Sequence, residues 1–434
     1  MKLLFIAPSA YLLGGVQDWL YSTVIGLRHR GHHVEVGVPN GHFHNGERFN
    51  SQFKDIGATF FRNATGTNEG RIKSLEKYLG ERSPDIIVGV NIGNLFEAIE
   101  RTRDFQYARF AMTLHAIEAN YFYDMKRYKS VIDGVITTNR LSEKMAVSLG
   151  TIENNRVYYA PYGIDHKQYG DKEDSEQEIT RIAWVGRLDK KQKRVDDLKD
   201  IISHLDKLGV RYQLSIAGDG PARNEVLNDL SLPLSDGKVR FYGKINKEEL
   251  SLFYKSNDIL LITSEWETGP IVAWEAVSAG LAIVSSKYIG SQAEHTLIDN
   301  ETALLFNIGD SEGAAKRIAS LSDKKIHQRL KVNAQRAVYL KYSNDASLDA
   351  WERAFQQIMA TERKVKSKTK VQLMNQTHNG RLERYIGLKH SEFIRAILPK
   401  KMEKDPGSEW PHSLQGVNDQ KWVLEYAKEI ERGH

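Results

Sequence analysis

Two series of alternating strand-like and helix-like segments run through this chain, and they limit its fold more than any other feature. Alternation of this kind predicts a mostly parallel sheet with helices on both faces. In the first series the strand-like runs are Leu3–Ala7, His33–Val38, Ile86–Val90, Phe110–His115 and Val135–Thr138. The helix-like segments between them are Gln17–Arg30, Arg71–Glu81, Leu95–Arg101 and Ser142–Leu149.

The second series starts after a polar, acidic stretch, Asp171–Glu178, whose composition is typical of a linker. Its strand-like runs are Ile182–Val185, Tyr212–Ala217, Lys238–Tyr242, Ile259–Thr263, Ala282–Ser285 and Ala303–Phe306. Its helix-like segments are Asp196–Leu208, Ala222–Leu230, Lys247–Lys255, Ile271–Ala279, Ser311–Leu321, Lys325–Lys341 and Asp345–Met359. Because 434 residues exceed the size of one hydrophobic core, we expect two α/β domains with a cleft between them.

Composition excludes several classes of protein. The net charge of +5 is mild for this length, so it permits anionic ligands or an anionic membrane surface and does not indicate nucleic-acid binding. The absence of cysteine excludes disulfides, zinc–thiolate sites and cysteine nucleophiles. No apolar run approaches the roughly 18 residues of a membrane span. The apolar start ends at Pro8, so we expect a first β-strand there and a cytoplasmic protein.

Two glutamates, Glu267 and Glu275, stand just beyond the apolar run Asp258–Ser264. A strand, a Gly-Pro turn and a helix would place Glu267 at the carboxyl end of a parallel strand and Glu275 two turns into the helix. The carboxyl ends of parallel strands are where open α/β sheets bind ligands. The pair is also consistent with solvated side chains beside a core helix, or with acid–base partners as in a glycoside hydrolase.

Two cations follow the first strand of the second series. Arg187 ends that strand and Lys193 precedes the next helix. A guanidinium and an ammonium near a helix N-terminus are suited to binding a diphosphate. A lysine-rich exposed loop is the alternative, and it accounts for Lys190 and Lys191 better than for Arg187.

Glycine turns recur after three strands, at Gly14-Gly15, Ala217–Pro221 and Phe241–Lys244. Such turns let backbone N–H groups approach a ligand closely, although backbone geometry alone also accounts for them. His115 ends another strand-like run, where its imidazole could serve in hydrogen bonding, in proton transfer or in structure only. There is no G-x-G-x-x-G pattern and no metal-ligand motif, so we expect neither a dinucleotide nor a metal.

In order along the chain, these motifs resemble those of the retaining glycosyltransferases of family 4, which have the GT-B fold. The resemblance extends from Met1 to Met359 and is most specific in the second half. It is carried by Gly14-Gly15, His115, Gly186-Arg187-Leu188, Lys193, Ala217–Pro221, Phe241-Tyr242-Gly243 and Glu267-x7-Glu275-Ala276. It implies two facing Rossmann-like domains, the second holding the nucleotide-sugar donor and the first holding the acceptor.

On this resemblance we expect an acceptor-side domain at 1–168, a linker at 169–178 and a donor-binding domain at 179–342. A helix at 343–362 is expected to cross back to the first domain, and a basic extension follows at 363–434. The extension opens with the basic run Arg363–Lys370. Amphipathic helical patterns cover Arg381–Leu398 and Lys421–Glu431 within it.

The resemblance also implies a role for each matching residue. Arg187 and Lys193 would bind the donor diphosphate, Glu275 would bind the ribose hydroxyls, and Glu267 and His115 would lie beside the donor sugar. Glu267, His115, Arg187 and Lys193 form the implied catalytic set. Further implied donor contacts are Gly15, Gly186, Gly218, Tyr242, Lys244, Gly269, Pro270 and Ile271. Gly14, Gly15 and His115 are the implied acceptor-side residues.

The chain departs from the family pattern at several positions. Arg194 stands where glycine is usual, and Lys191 is an alternative to Lys193 as the matching lysine. Gly269-Pro270 replaces a more frequent aromatic-glycine pair, and Ala116 replaces a frequent aspartate after His115.

These observations together predict a retaining, metal-independent hexosyltransferase without a cofactor, acting in cell-envelope or polysaccharide biosynthesis. It would move a sugar from a UDP- or GDP-sugar to a hydroxyl of a glycan, a lipid-linked molecule or a small molecule. The alternatives are another GT-B nucleotide-sugar enzyme (an epimerase or sugar-phosphate synthase) and a non-catalytic relative. A dinucleotide oxidoreductase is disfavoured by the missing glycine fingerprint.

Peripheral contact with an anionic membrane on its inner face is a further expectation. Tyr121–Lys129 mixes aromatic and basic residues and is one segment that could make this contact, and the basic extension is another. An ordinary surface helix is the favoured interpretation of Tyr121–Lys129, because its apolar face is short.

Overall fold

The computed structural model describes two compact units of the chain. The described residues are 1–8, 15–40, 56–62, 65, 67–104, 106–170, 179–364, 381–397 and 420–432. Unit 1 comprises Met1–Ala160 and Leu348–Glu425, and unit 2 comprises Pro161–Ser347 and Tyr426–His434. The predicted linker Asp171–Glu178 and the residue Gly14 lie outside the described residues.

Unit 1 is built on a seven-stranded parallel sheet with the strand order β3-β2-β1-β4-β5-β6-β7. The strands are β1 Lys2–Ile6, β2 His33–Asn40, β3 Thr59–Arg62, β4 Ile86–Gly89, β5 Arg109–Leu114, β6 Gly134–Thr137 and β7 Val157–Tyr159. Its helices within the first 160 residues are α1 Gly15–His29, α2 Asn68–Gly80, α3 Asn94–Thr102, α4 Ala119–Arg127 and α5 Arg140–Ser148. All residues of β4 and β6 are buried, as expected for strands covered by helices on both faces.

Unit 2 is built on a six-stranded parallel sheet with the strand order β10-β9-β8-β11-β12-β13. The strands are β8 Thr180–Val185, β9 Tyr212–Ala217, β10 Val239–Gly243, β11 Ile259–Ile262, β12 Ala282–Ser286 and β13 Leu304–Phe306. The helices are α6 Asp197–Lys207, α7 Arg223–Asp229, α8 Ser231–Ser235, α9 Lys247–Lys255, α10 Ile271–Ser278, α11 Ser291–Glu294, α12 Ser311–Ser320 and α13 Lys324–Tyr342.

Two apolar clusters fill the two faces of the unit 2 sheet. One contains Leu198 of α6 and Ile318 of α12. The other contains Trp274 of α10 and Tyr342 of α13, whose rings stack with centroids 4.5 Å apart. Since both faces are covered, the polar groups of unit 2 that can meet a ligand collect at the loops of the sheet edge.

Three further helices complete the described chain: α14 Asn344–Ala360, α15 Arg381–Ile397 and α16 Gln420–Arg432. The boundary between the two units falls inside α14, between Ser347 and Leu348. The later part of α14 belongs to unit 1, where Trp351 packs on Trp19 of α1 at 4.8 Å between ring centroids. In the part of the chain that the structure covers, none of the helices combines the length and apolar character that crossing a bilayer requires.

The segment after α14 is fixed to unit 1 through a buried ion pair. Arg103 and Asp133 are almost fully buried, and an Arg103 Nη lies 2.6 Å from an Asp133 carboxylate oxygen. The Asp133 carboxylate also accepts hydrogen bonds from the backbone N–H groups of Phe110 (2.7 Å) and Lys364 (2.6 Å). One charged residue therefore joins α3, β5 and the start of the C-terminal extension.

The predicted fold class is confirmed, and the differences lie in short elements. The strands β3 and β7 were not predicted from sequence, because they are short edge strands that are only partly buried, whereas the equally short strands β4, β6, β11 and β13 are buried along their whole length. The aromatic segment Tyr121–Lys129 contributes to α4, and Tyr121, Phe122 and Tyr128 are buried. Their burial supports the ordinary helix and removes these aromatic rings as membrane contacts.

Candidate functional site

The carboxyl edge of the unit 2 sheet carries a group of glycine loops joined backbone to backbone. Gly186, after β8, donates its N–H to the carbonyl of Ala217 (3.1 Å), and Gly218 donates to the carbonyl of Gly243 (2.7 Å). Gly218 has φ +138°, and a Cβ there would lie 1.8 Å from the carbonyl oxygen of Gly186. These loops thus form one continuous surface, and position 218 accepts only glycine.

Lys193 and Glu267 form an ion pair at this edge. The Lys193 Nζ lies 2.6 Å from Glu267 Oε1, and Ser264 Oγ donates to the same oxygen at 2.5 Å. Both charged side chains are largely buried. Glu267 therefore holds the ammonium group in place beside Gly186, where an added Cβ would lie 3.4 Å from Lys193 Cε.

A buried hydrogen-bond chain fixes the backbone of Lys193. The indole N–H of Trp184 donates to Thr263 Oγ1 (3.1 Å), and that hydroxyl donates to the Lys193 carbonyl (2.6 Å). Lys191, the alternative lysine, is exposed. Lys193 is therefore the lysine of this loop that the structure places beside Glu267.

The neighbouring Arg194 adopts a left-handed backbone conformation with φ +47°. Glycine adopts this conformation most readily, since a side chain there costs about 1–2 kcal/mol. Its guanidinium binds the Asp197 carboxylate at 2.9 and 2.8 Å, and this hydrogen bonding raises the pKa of Arg194 above its ordinary value. The first turn of α6 thereby holds the non-glycine residue in place.

Arg187 forms an exposed ion pair of its own. Its side chain is 61% exposed, and an Nη lies 3.4 Å from an Asp189 carboxylate oxygen. An exposed guanidinium on a loop after a parallel strand is accessible to an anionic ligand.

Glu275 lies on α10, which begins directly after Gly269 and Pro270. Gly269 has φ +78°, and Pro270 caps the helix that starts at Ile271. Glu275 is buried, and its Oε2 accepts a hydrogen bond from the hydroxyl of Tyr254 at 3.1 Å. Burial raises the pKa of the Tyr254 phenol well above its usual value, so Tyr254 acts as a donor to the carboxylate.

The end of β10 and the loop after it present two exposed residues, Tyr242 and Lys244 respectively. The Tyr242 ring meets Phe253 of α9 edge to face, with centroids 5.1 Å apart. The aromatic contact holds Tyr242 at the same sheet edge as Gly218 and Gly243.

In unit 1, His115 follows β5 and is buried. Its Nε2 lies 2.9 Å from Thr113 Oγ1, and its ring packs on Trp19 with centroids 4.6 Å apart. Burial lowers the pKa of His115 to about 3, so the imidazole is neutral at neutral pH. Gly15 is the first residue of α1, the helix that carries Trp19.

The structure thus brings together Gly186, Gly218, Lys193 and Glu267, while Arg187 pairs with Asp189 and Glu275 accepts a hydrogen bond from Tyr254. Sequence reasoning missed Tyr254 and Ser264. Ser264 is adjacent to the predicted strand end and could have been found by its spacing from Glu267. Tyr254 carries no sequence signal, since its contact with Glu275 depends on packing between α9 and α10.

With this geometry in hand, comparison with known proteins gives a consistent result. Residues 166–337 match the family model described as glycosyl transferases group 1. This range contains Arg187, Lys193, Glu267 and Glu275. The match covers unit 2 from near its start into α13.

Curated relatives point to the same class. The chain is 22% identical to the lipopolysaccharide 1,6-galactosyltransferase of Escherichia coli (strain K12) over 316 residues. This aligned region covers 68% of the chain and 82% of that protein. Over 156 residues, it is 31% identical to the GalNAc-alpha-(1->4)-GalNAc-alpha-(1->3)-diNAcBac-PP-undecaprenol alpha-1,4-N-acetyl-D-galactosaminyltransferase of Campylobacter jejuni, covering 36% of this chain and 42% of that protein. The chain spans about half or less of the first curated relatives it matches, namely 52%, 35% and 42% of their lengths.

Among solved structures, HepE of Anabaena in complex with UDP and glucose superposes with a TM-score of 0.67 at 17% identity, covering 82% of this chain and 99% of that one. This likeness concerns the fold. The chain therefore resembles the GT-B glycosyltransferases in fold and, over residues 166–337, in sequence. Assignment to family 4 stays a prediction.

Proposed function

We propose that this protein is a glycosyltransferase that moves a sugar from a nucleotide sugar to a hydroxyl acceptor, with retention of configuration and without a metal. The observation that carries the proposal is the Lys193–Glu267 ion pair beside the glycine loops at the carboxyl edge of the unit 2 sheet. The family match over 166–337 includes this whole group of residues.

In the proposed reaction, the bond between the sugar's anomeric carbon and the diphosphate oxygen breaks, and the electron pair leaves with the diphosphate. The acceptor hydroxyl oxygen attacks the same face of the anomeric carbon, and its proton passes to the departing phosphate. The transition state has oxocarbenium character while negative charge accumulates on the diphosphate. Arg187 and Lys193 are the cations that would stabilise this charge.

The remaining residues are assigned to substrate binding. Glu275 would accept hydrogen bonds from the ribose hydroxyls, and Glu267 would lie beside the sugar while orienting Lys193. Tyr242 and Lys244 would meet the base, and Gly269, Pro270 and Ile271 would present the start of α10 to the donor. His115, being neutral, would act as a hydrogen-bonding group on the acceptor side, together with the loop at Gly14-Gly15.

We propose UDP as the nucleotide and a cell-envelope glycan as the acceptor. Support for UDP comes from the complex of HepE with UDP-glucose, a protein of the same fold. Support for the acceptor comes from the names of two relatives, which act on lipopolysaccharide and on an undecaprenol-linked glycan.

The test is release of nucleoside diphosphate from a panel of UDP- and GDP-sugars. Arg187→Ala and Glu275→Ala should each lower kcat/KM, and for Arg187→Ala the loss of a charge-stabilising donor corresponds to about 2–4 kcal/mol or roughly 30- to 1,000-fold. Lys190→Ala is the matched control, because Lys190 lies in the same loop and is exposed, pairing with Glu225. Undiminished turnover in both Arg187→Ala and Glu275→Ala would refute the assignment. The anomeric configuration of the product, read by NMR, tests retention separately.

A further inference from the structure

The helix α15 is held to unit 1 by its acidic side. Glu383 and Glu392 are buried, as is Ser391. The Glu392 carboxylate accepts hydrogen bonds from Thr65 Oγ1 (2.7 Å) and Thr67 Oγ1 (2.8 Å), the latter being the N-cap residue of α2. These contacts fix which side of the helix faces the protein.

Arg395 secures the same side. Its guanidinium lies 2.8 Å from Glu392 and 3.8 Å from Glu383, and all three side chains are at least four-fifths buried. The two acidic residues of the helix are thereby neutralised and withdrawn from the surface.

The opposite side of α15 is apolar and exposed. Tyr385 is 86% exposed, Phe393 68% and Ile397 60%. Leu382, Ile386 and Ile394 are exposed beside them. A helix on a globular protein ordinarily turns its apolar stripe toward the core, so α15 has the reverse orientation.

The exposed charges of α15 are basic. Arg384 and Lys389 are exposed, and His390 lies next to Lys389. Gly387, with φ 74° and ψ 167°, breaks the helix between the part bearing Tyr385 and the part bearing Phe393. Apolar side chains at both parts, flanked by cations, match the pattern of helices that lie in the headgroup region of a bilayer.

We propose that the outward side of α15 (Leu382, Tyr385, Ile386, Phe393, Ile394 and Ile397, with Arg384 and Lys389) docks on the surface of an anionic bilayer. The aromatic and aliphatic groups would enter the headgroup boundary, while the cations meet lipid phosphates. Docking of a second copy through the same side would bring Arg384 and Lys389 near their own counterparts, which disfavours that partner. This inference goes beyond the proposed sugar transfer and does not depend on it.

The test is co-sedimentation of the full chain with phosphatidylcholine vesicles, with and without about one third phosphatidylglycerol. We expect binding to the anionic vesicles at low salt and much weaker binding at high salt. The double variant Phe393→Glu/Ile397→Glu should lower the partition coefficient about tenfold or more. Arg384→Ala/Lys389→Ala, which leaves the apolar groups intact, should lower it about fivefold per charge.

Leu252→Glu is the matched control, since Leu252 is an exposed leucine of α9 in unit 2. It should bind vesicles as the unmodified protein does, and thermal unfolding checks that each variant is folded. The proposal is overturned if the unmodified chain stays in the supernatant, or if both double variants bind as well as the control. A dimer lost in Phe393→Glu/Ile397→Glu, without any vesicle binding, would identify a second copy as the partner and also overturn it.

Discussion

Replacement of Asp133 by alanine should loosen unit 1 more than any ordinary surface change. The Asp133 carboxylate is fully buried and accepts three hydrogen bonds, from Arg103 and from the N–H groups of Phe110 and Lys364. Burial lowers the pKa of the Arg103 guanidinium, and the negative charge of Asp133 opposes this shift. The charge on Arg103 is therefore stabilised by Asp133.

The expected loss of stability follows from the buried arginine that the variant leaves without its carboxylate. After Asp133→Ala, Arg103 still donates to the carbonyl groups of Ala108 and Lys364 but has lost its counter-charge. Removing one partner of a buried ion pair typically costs about 3–5 kcal/mol. For amides that exchange through the equilibrium population of the unfolded state, this cost corresponds to roughly 150- to 5,000-fold faster exchange.

The assay is hydrogen exchange of the backbone amides of β5 and β6, because these report unit 1 alone. Asp349→Ala serves as the control, since Asp349 pairs with Arg30 at the same 2.6 Å but is half exposed. That variant should change stability by less than about 1 kcal/mol. If Asp133→Ala accelerates exchange no more than Asp349→Ala does, the reasoning from burial is wrong.

Three further outcomes are expected. Tyr254→Phe removes a hydrogen bond to the Glu275 carboxylate and, under the proposed function, should raise the donor KM about tenfold or more with little change in kcat; a fall in kcat alone would contradict this. Buried His115 stays neutral down to about pH 3, whereas the imidazole of the unfolded chain is protonated below about pH 6.5. The free energy of unfolding should therefore decrease as the pH is lowered through this window, by up to about 1.4 kcal/mol per pH unit. Denaturant unfolding at pH 7, 5.5 and 4.5 measures this: the free energy of unfolding of His115→Gln should decrease less on acidification than that of the unmodified protein. The exposed control His33→Gln should behave as the unmodified protein does. Gly218→Ala should lower the unfolding temperature more than Gly209→Ala does. Both positions have positive φ, and only at 218 would the added Cβ meet the carbonyl of Gly186. Equal decreases in unfolding temperature would contradict this close approach.

Much of the fold could be predicted from the order of apolar runs, because the period of a buried strand differs from that of a helix. That order also places Glu267 beyond the carboxyl end of a strand and Glu275 within the next helix, and the structure has Glu267 in the loop after β11 and Glu275 in α10. The catalytic and binding roles stay predictions. They depend on a bound donor, and no pattern in the chain alone identifies one.

Other features needed the structure because they depend on which surfaces pack. The sequence indicates an amphipathic pattern at Arg381–Leu398, but periodicity does not say which side faces the protein. The side of α15 that faces unit 1 is set by Thr65 and Thr67, which lie more than 300 residues away in the sequence and bind Glu392. The same holds for Tyr254, whose partner Glu275 lies on another helix.

Under the proposed function, the contact between Gly218 and Gly186 also limits how the donor specificity can diverge between related proteins. Loops tied through their backbones cannot slide past one another to make room for a different sugar or base. New preferences would have to come from side chains carried on the fixed frame, such as Tyr242 and Lys244. Exchange of those side chains between related proteins is therefore the direct route to altering the donor, while the glycines are left untouched.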